Sequence, residues 1–186
     1  MLGEDRIISL DDDVKGARDA KAIFAIQRDA ILGAYNWSFA KTRASLTALA
    51  TPPAFQYALQ FQMPSDCLRL IMVGDHYAGI DLTDYRGSPT EDYTIEGRKI
   101  LTHLSAPLNI KYVTRVTDTS QFNSVFTAAF AARLASKLAE PLTNSRGKRE
   151  DAEREEKRQI LEAIRSNAIE LPPQKLADDE WLTSRL

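Results

Sequence analysis

The chain has 186 residues, of which 44% are hydrophobic and 27% charged, with 8 glycines and 8 prolines. That is about one domain's worth, enough to bury a core without disulfides or metal, which excludes a stapled mini-protein, a fibre and a disordered chain. Twenty-four Lys and Arg stand against 26 Asp and Glu, and the net charge of −2 is too balanced for attraction to a phosphate backbone to be the organising purpose.

Cys67 is the only cysteine, so there is no internal disulfide framework and no thiolate zinc cluster, and a reducing compartment is expected. The first ten residues place Glu4 and Asp5 where a signal peptide needs a basic start followed by an unbroken apolar run. The most apolar stretch, 122–138, is interrupted by Arg133 and Lys137 and falls short of the ~20 residues that span a bilayer, so it reads as a core helix.

Asp11, Asp12 and Asp13 precede Val14, Ala17, Ala20, Phe24 and Ile31, whose spacings of three, four and seven predict an amphipathic helix over 13–34 with an acidic N-cap. Capping and the helix dipole explain the three acids more simply than a metal site does. Asn36 to Ala40 leads into Arg43, Leu46 and Leu49, read as a second helix or a bent continuation that ends before Pro52 and Pro53. Trp37 and Phe39 read as core residues rather than a stacking platform.

From Tyr57 the period changes to two. Tyr57, Leu59 and Phe61 alternate with Ala58, Gln60 and Gln62, predicting a strand that ends at Pro64. Residues 68–73, a Gly74-Asp75 turn and 77–82 suggest further short strands, as do 93–96 and 99–102 around Gly97-Arg98 and the alternating run 108–116. The middle of the chain therefore reads as a small meander-like sheet.

A second helical section begins at Thr119-Ser120, with Phe122, Val125, Phe126, Ala129, Phe130, Leu134 and Leu138 forming a wide apolar stripe and Pro141 expected to end it. Its alanines, among them Ala128, Ala129, Ala132, Ala135 and Ala139, permit close helix approach. Residues 146–158 carry six positive and five negative charges. There the pairs Glu150/Arg154 and Glu153/Lys157 have the i,i+4 order that supports a solvated helix. That helix is expected over 144–170, packing by its C-terminal half through Ile160, Leu161, Ile164 and Ala168. Ser145 to Lys148 lacks the upstream glycine, the preceding strand and the following Ser/Thr of a phosphate loop, so nucleotide binding is not indicated. Pro172 and Pro173 stop the helix and launch a tail with Trp181 near its end, a residue type enriched among interface anchors.

No chemistry stands out. His76 and His103 have no companion ligands, no Gly-x-Ser-x-Gly elbow marks a nucleophile, and no motif singles out a carboxylate pair among the acids. The residues alone therefore describe an α+β interaction protein, mainly α, with no catalytic, metal or cofactor residues. It has a helical bundle body (1–56 and 117–171), a small antiparallel β insertion (57–116) and an extended C-terminal arm (172–186). The expected core comprises Phe24, Trp37, Phe39, Phe122, Phe126, Phe130 and Leu134.

The order of landmarks resembles the phage head-to-tail adaptor, or connector, family, also described as tail tubular protein A. The resemblance runs from Leu2-Gly3-Glu4-Asp5 and Ile8 to Asp13, through Arg28 to Leu32, Asn36 to Ala40 and Arg43 to Leu46, to Tyr57, Leu59 and Met63 to Arg69. It continues through Tyr93 to Leu101, Pro107 to Val113, residues 122–142, and Asp179-Glu180-Trp181-Leu182. Family members commonly carry another helical turn or two before the Leu-Gly motif, whereas here Met1 directly precedes it.

The resemblance implies a structural virion protein, not an enzyme and without a cofactor, at the capsid–tail junction and in the host cytoplasm during assembly. It implies a ring, usually a dodecamer, beneath the portal, extending the DNA ejection channel and offering a landing surface for a tail or nozzle protein. DNA would only pass through the lumen, with no sequence-specific binding, and no membrane is involved. The portal-binding arm would use Pro172, Pro173, Trp181, Leu182 and Leu186. Two other readings are a virion-associated peptidoglycan-cleaving enzyme, motivated by the abundant carboxylates, and a non-viral homo-oligomeric scaffold.

Overall fold

The structure, a computed structural model, describes residues 7–74, 76–77 and 93–170. Among them, three long helices are α1 (Lys15–Ala34), α2 (Ser124–Thr143) and α3 (Arg146–Ile169). The strands are β1 (Lys41–Leu46), β2 (Leu59–Gln62), β3 (Cys67–Val73), β4 (His76–Tyr77), β5 (Tyr93–Glu96), β6 (Lys99–Thr102) and β7 (Leu108–Thr114).

The strands form two antiparallel sheets, ordered β1-β7-β3-β4 and β2-β6-β5. One buried cluster joins Ile71 of β3 and Val113 of β7 to Ile31 and Leu32 of α1, Phe126 and Phe130 of α2 and Ala163 of α3. A second joins Cys67, Leu70 and Val73 of β3 and Leu108, Ile110 and Tyr112 of β7 to Phe61 of β2 and Ile100 of β6. The four-stranded sheet is thus a middle layer, with helices on one face and the smaller sheet on the other. Burial on both faces explains the nearly unbroken apolar run of β3.

This arrangement corrects the expected helical bundle. The helices do not close a core among themselves; they close it against a sheet, and the fold is a mixed one of helices and antiparallel strands. The largest local departure lies at 41–46, expected to be helical. It is a strand, paired over all six of its positions with β7, from Lys41 opposite Val113 to Leu46 opposite Leu108. Arg43, Leu46 and Leu49 matched a helical spacing, but Thr42, Ala44 and Leu46 also alternate with Lys41, Arg43 and Ser45. Pairing with a strand more than sixty positions away decides between the two periods. A strand from outside 57–116 therefore supplies one edge of the middle sheet, and β2 and β6 leave that sheet for the other, so the strands do not form a meander.

Helix ends also differ from expectation. The N-cap of α1 is Val14, with no side-chain cap. Asp12 instead accepts from the backbone N–H groups of Ile8 (2.8 Å) and Ser9 (3.1 Å), while Asp13 and Asp11 pair with Arg18 and Lys21. Pro141 lies inside α2, which runs to Thr143 and stops at Asn144, whose left-handed backbone (φ 48°) directs its N–H to the Glu140 carbonyl. Pro141 removes only the one bond its N–H would have given, too near the terminus to end the helix earlier. Asn123 caps α2 by accepting from the Phe126 N–H at 2.8 Å, and Ser145 caps α3. The β5–β6 hairpin turns through Gly97 and Arg98, both with positive φ.

Candidate interaction surfaces

The aromatic residues expected in the core do converge. The Phe126 ring is 4.8 Å from Phe122, 4.9 Å from Phe39 and 5.0 Å from Trp37, mostly edge to face, and Phe24 meets Phe130 at 5.1 Å. Trp37 is fully buried and its indole N–H donates to the Ile31 carbonyl at 2.8 Å, while Phe24, Phe39, Phe122 and Leu134 pack around the cluster partly buried. The segment after α1 is tied to the end of α3. Asn167 accepts from the Ser38 N–H at 2.7 Å and donates to the Asn36 carbonyl at 3.0 Å, and the Ser38 hydroxyl bonds the Glu170 carboxylate.

A polar joint holds the three helices together. Arg133 of α2 donates to Gln27 of α1 at 2.9 Å and to Glu156 of α3 at 3.2 Å, and the other oxygen of Glu156 accepts from the Ser136 hydroxyl. Behind it, the Asp29 carboxylate accepts from both Arg28 and Arg115, linking α1 to the end of β7. These partly buried charges are satisfied structural groups.

The outward side of α3 is laced by ion pairs, though not by those expected from spacing. Glu150 pairs with Arg146 rather than Arg154, Glu153 with Arg149 rather than Lys157, Asp151 with Arg154, and Arg158 with both Glu155 and Glu162. Hydrogen bonds from Arg158 and Gln159 hold the Glu155 carboxyl down at about 2.

Two regions of the described surface expose apolar side chains. On the helical side these are Ile26 of α1, Val14 and Tyr35 at its two ends and Ile8 ahead of it, Leu161 of α3 and Ile169 at its end. On the outer sheet they are Phe55, 79% exposed, and Ile95 on the edge strand β5. Phe55 borders a groove of about 400 Å³ in which the 53–57 segment lies over Gln60, Lys99 and Leu101. The Gln60 amide anchors that segment by donating to the Thr51 carbonyl at 2.6 Å, and Gln56 adopts a positive φ of 71°.

A third surface is not legible in the sequence, because 41–46 also fits a helical spacing. Lys41 and Arg43 lie on one face of β1, and Arg43 stands directly opposite Lys111 of β7. Burial, and then Lys111, hold the Lys41 ammonium below its usual range, with Glu170 opposing.

His103 lies on the surface with its ring 5.3 Å from Tyr57, and His76 is in β4. Among the described residues no three His, Cys, Asp or Glu side chains gather as metal ligands, and no helix is long and apolar enough to cross a membrane. Cys67 is buried between the sheets, and burial raises its thiol pKa. The arm residues Pro172, Pro173, Trp181, Leu182 and Leu186 lie outside the described residues. Comparison of the chain with protein-family models and with curated proteins finds no match.

Proposed function

We propose that the protein is a structural adaptor of a phage head-to-tail junction, forming a ring beneath the portal and offering its lower side to a tail or nozzle protein. The observation that carries this reading is the ordered run of sequence blocks from Leu2-Gly3 to Trp181-Leu182, which spans nearly the whole chain. The surface supports it. A closed ring repeats one heterologous contact, so each subunit needs two different faces, and exposed apolar groups occur on both the helical side and the outer sheet. At −2 per chain, a ring of about twelve copies would carry about −24, which favours sliding of DNA over sticking when the acids line the lumen.

In this reading the protein is not an enzyme and needs no cofactor. Its work is to present complementary surfaces, and the arm at 172–186 anchors it to the portal through Trp181, Leu182 and Leu186. The test is mass photometry of the full chain alone and mixed with the portal encoded beside it. A discrete gain of about a dozen subunits per portal is expected. Removing 172–186 should abolish that gain while leaving the circular dichroism spectrum of the described fold in place. Absence of association with the full chain overturns the adaptor reading, and undiminished association of the truncated chain overturns the role of the arm.

A further inference from the structure

Lys41, Arg43 and Lys111 form a row of cations on the helix-side face of the middle sheet, at its β1 edge. The face is fixed by register. Lys41 lies opposite Val113, whose side chain joins the cluster under the helices, and Arg43 lies opposite Lys111 two positions along. Like charges directly across an antiparallel pair destabilise it, and none of the three side chains makes a hydrogen bond or ion pair in the described structure. Glu170 opposes the charge at Lys41 and is already engaged by the Ser38 hydroxyl. The row is therefore cationic and only partly compensated.

Glu170 is also where the chain leaves α3 for the arm. Eight positions on come Asp178, Asp179 and Glu180, three consecutive acids. An extended chain of that length reaches at most about 28 Å, ample to return to a row that begins beside its own starting point. Of the other acids outside the described residues, Glu4 and Asp5 precede α1, whose twenty residues, about 30 Å of helix, separate that end from the Ala34 end that leads to β1, and those within 78–92 join β4 to β5, β4 being the opposite edge of the sheet from β1. Position therefore favours the arm.

We propose that, in the free subunit, the acids 178–180 dock in cis on the Lys41–Arg43–Lys111 row, holding the arm against its own sheet. The common origin at Glu170 gives the acids a high effective concentration at the row, so even exposed pairs of modest strength populate the docked state. Docking also relieves the repulsion between Arg43 and Lys111. The proposal concerns the subunit alone and stands whether or not the arm later meets a portal.

Carbodiimide coupling of the full chain at low protein concentration, followed by peptide mass spectrometry, tests it. An equal mixture of ordinary and 15N-labelled protein identifies which copy each partner comes from. The expected result is amide links from Lys41 or Lys111 to 178–180 within single copies, falling several-fold in about 0.5 M salt, where the screening length shrinks to a few ångströms. Arg43→Gln, an exposed substitution that removes one of the repelling pair, should lower the Lys41 link several-fold without lowering the thermal midpoint. Links that join labelled to unlabelled chains, links that are absent, or a yield unchanged by Arg43→Gln or by salt each overturn docking in cis.

Discussion

The two faces of the four-stranded sheet are built from the same strands yet meet their neighbours in different ways. Toward the helices, Leu68, Ile71 and Val113 meet an aromatic cluster centred on Phe126, whose rings are contributed by α1, the segment between α1 and β1, the approach to α2 and α2 itself. Toward the outer sheet, Cys67, Leu70, Val73, Leu108 and Ile110 meet Phe61 and Ile100, with far fewer rings. The helical interface gathers long elements and ties them further through Arg133, Glu156 and Asn167, whereas the outer sheet has short strands and one buried face. Neighbouring residues of one strand thus feed two interfaces of different make-up.

That contrast predicts unequal responses to truncation. Phe126→Ala removes the ring that four other aromatics pack against and should destabilise the whole fold by about 4 kcal/mol, read as a shift in urea-induced unfolding. A loss under about 1 kcal/mol would mean that the aromatic cluster is not part of the cooperative core. Ile100→Ala, at the fully buried centre of the outer interface, should cost about 3 kcal/mol by the same cavity argument. Here amide exchange is the sharper probe. Protection should fall first in β2, β5 and β6 while α2 and β7 keep theirs, and uniform loss would merge the two interfaces into one unit.

Acid should act on the helical side with a smaller effect. Glu155 is held at about 2 by Arg158 and Gln159, Asp12 is lowered by the Ser9 and Ile8 N–H groups, and Asp118 is lowered by Ser120 and Gln121. All three carboxyls sit below their ordinary values. Their contribution is therefore fully present above the unfolded carboxylate range and is lost as pH falls from about 4.5 toward 2. The thermal midpoint should decline over that window, with amide protection near the start of α1, the approach to α2 and the middle of α3 weakening before that of β6. Earlier weakening of the outer sheet would reverse the comparison.

Much of this architecture was legible because it is local. The 3.6-residue stripe of α2, the alternation at 59–62 and the Gly97-Arg98 turn each write their element into a short window, and the aromatic core followed from where those stripes point. The ion pairs on α3 were not, because several partners lie within reach of every carboxylate and geometry selects among them. The cationic row was invisible for a different reason: Arg43 and Lys111 are neighbours only because β1 pairs with β7.

Residue patterning by itself determined the three helices, most of the strands and the rings of the helix-side cluster, but not the buried Phe61 and Tyr112 of the sheets, since each of the former depends on periodicity, caps and turn residues within a few positions. The tertiary structure alone decided whether 41–46 is helix or strand, how the strands divide between two sheets, and that the helices lie on a sheet instead of forming a bundle. Those choices rest on backbone hydrogen bonds and apolar contacts between residues far apart in the chain, whose free energy no short window of sequence contains.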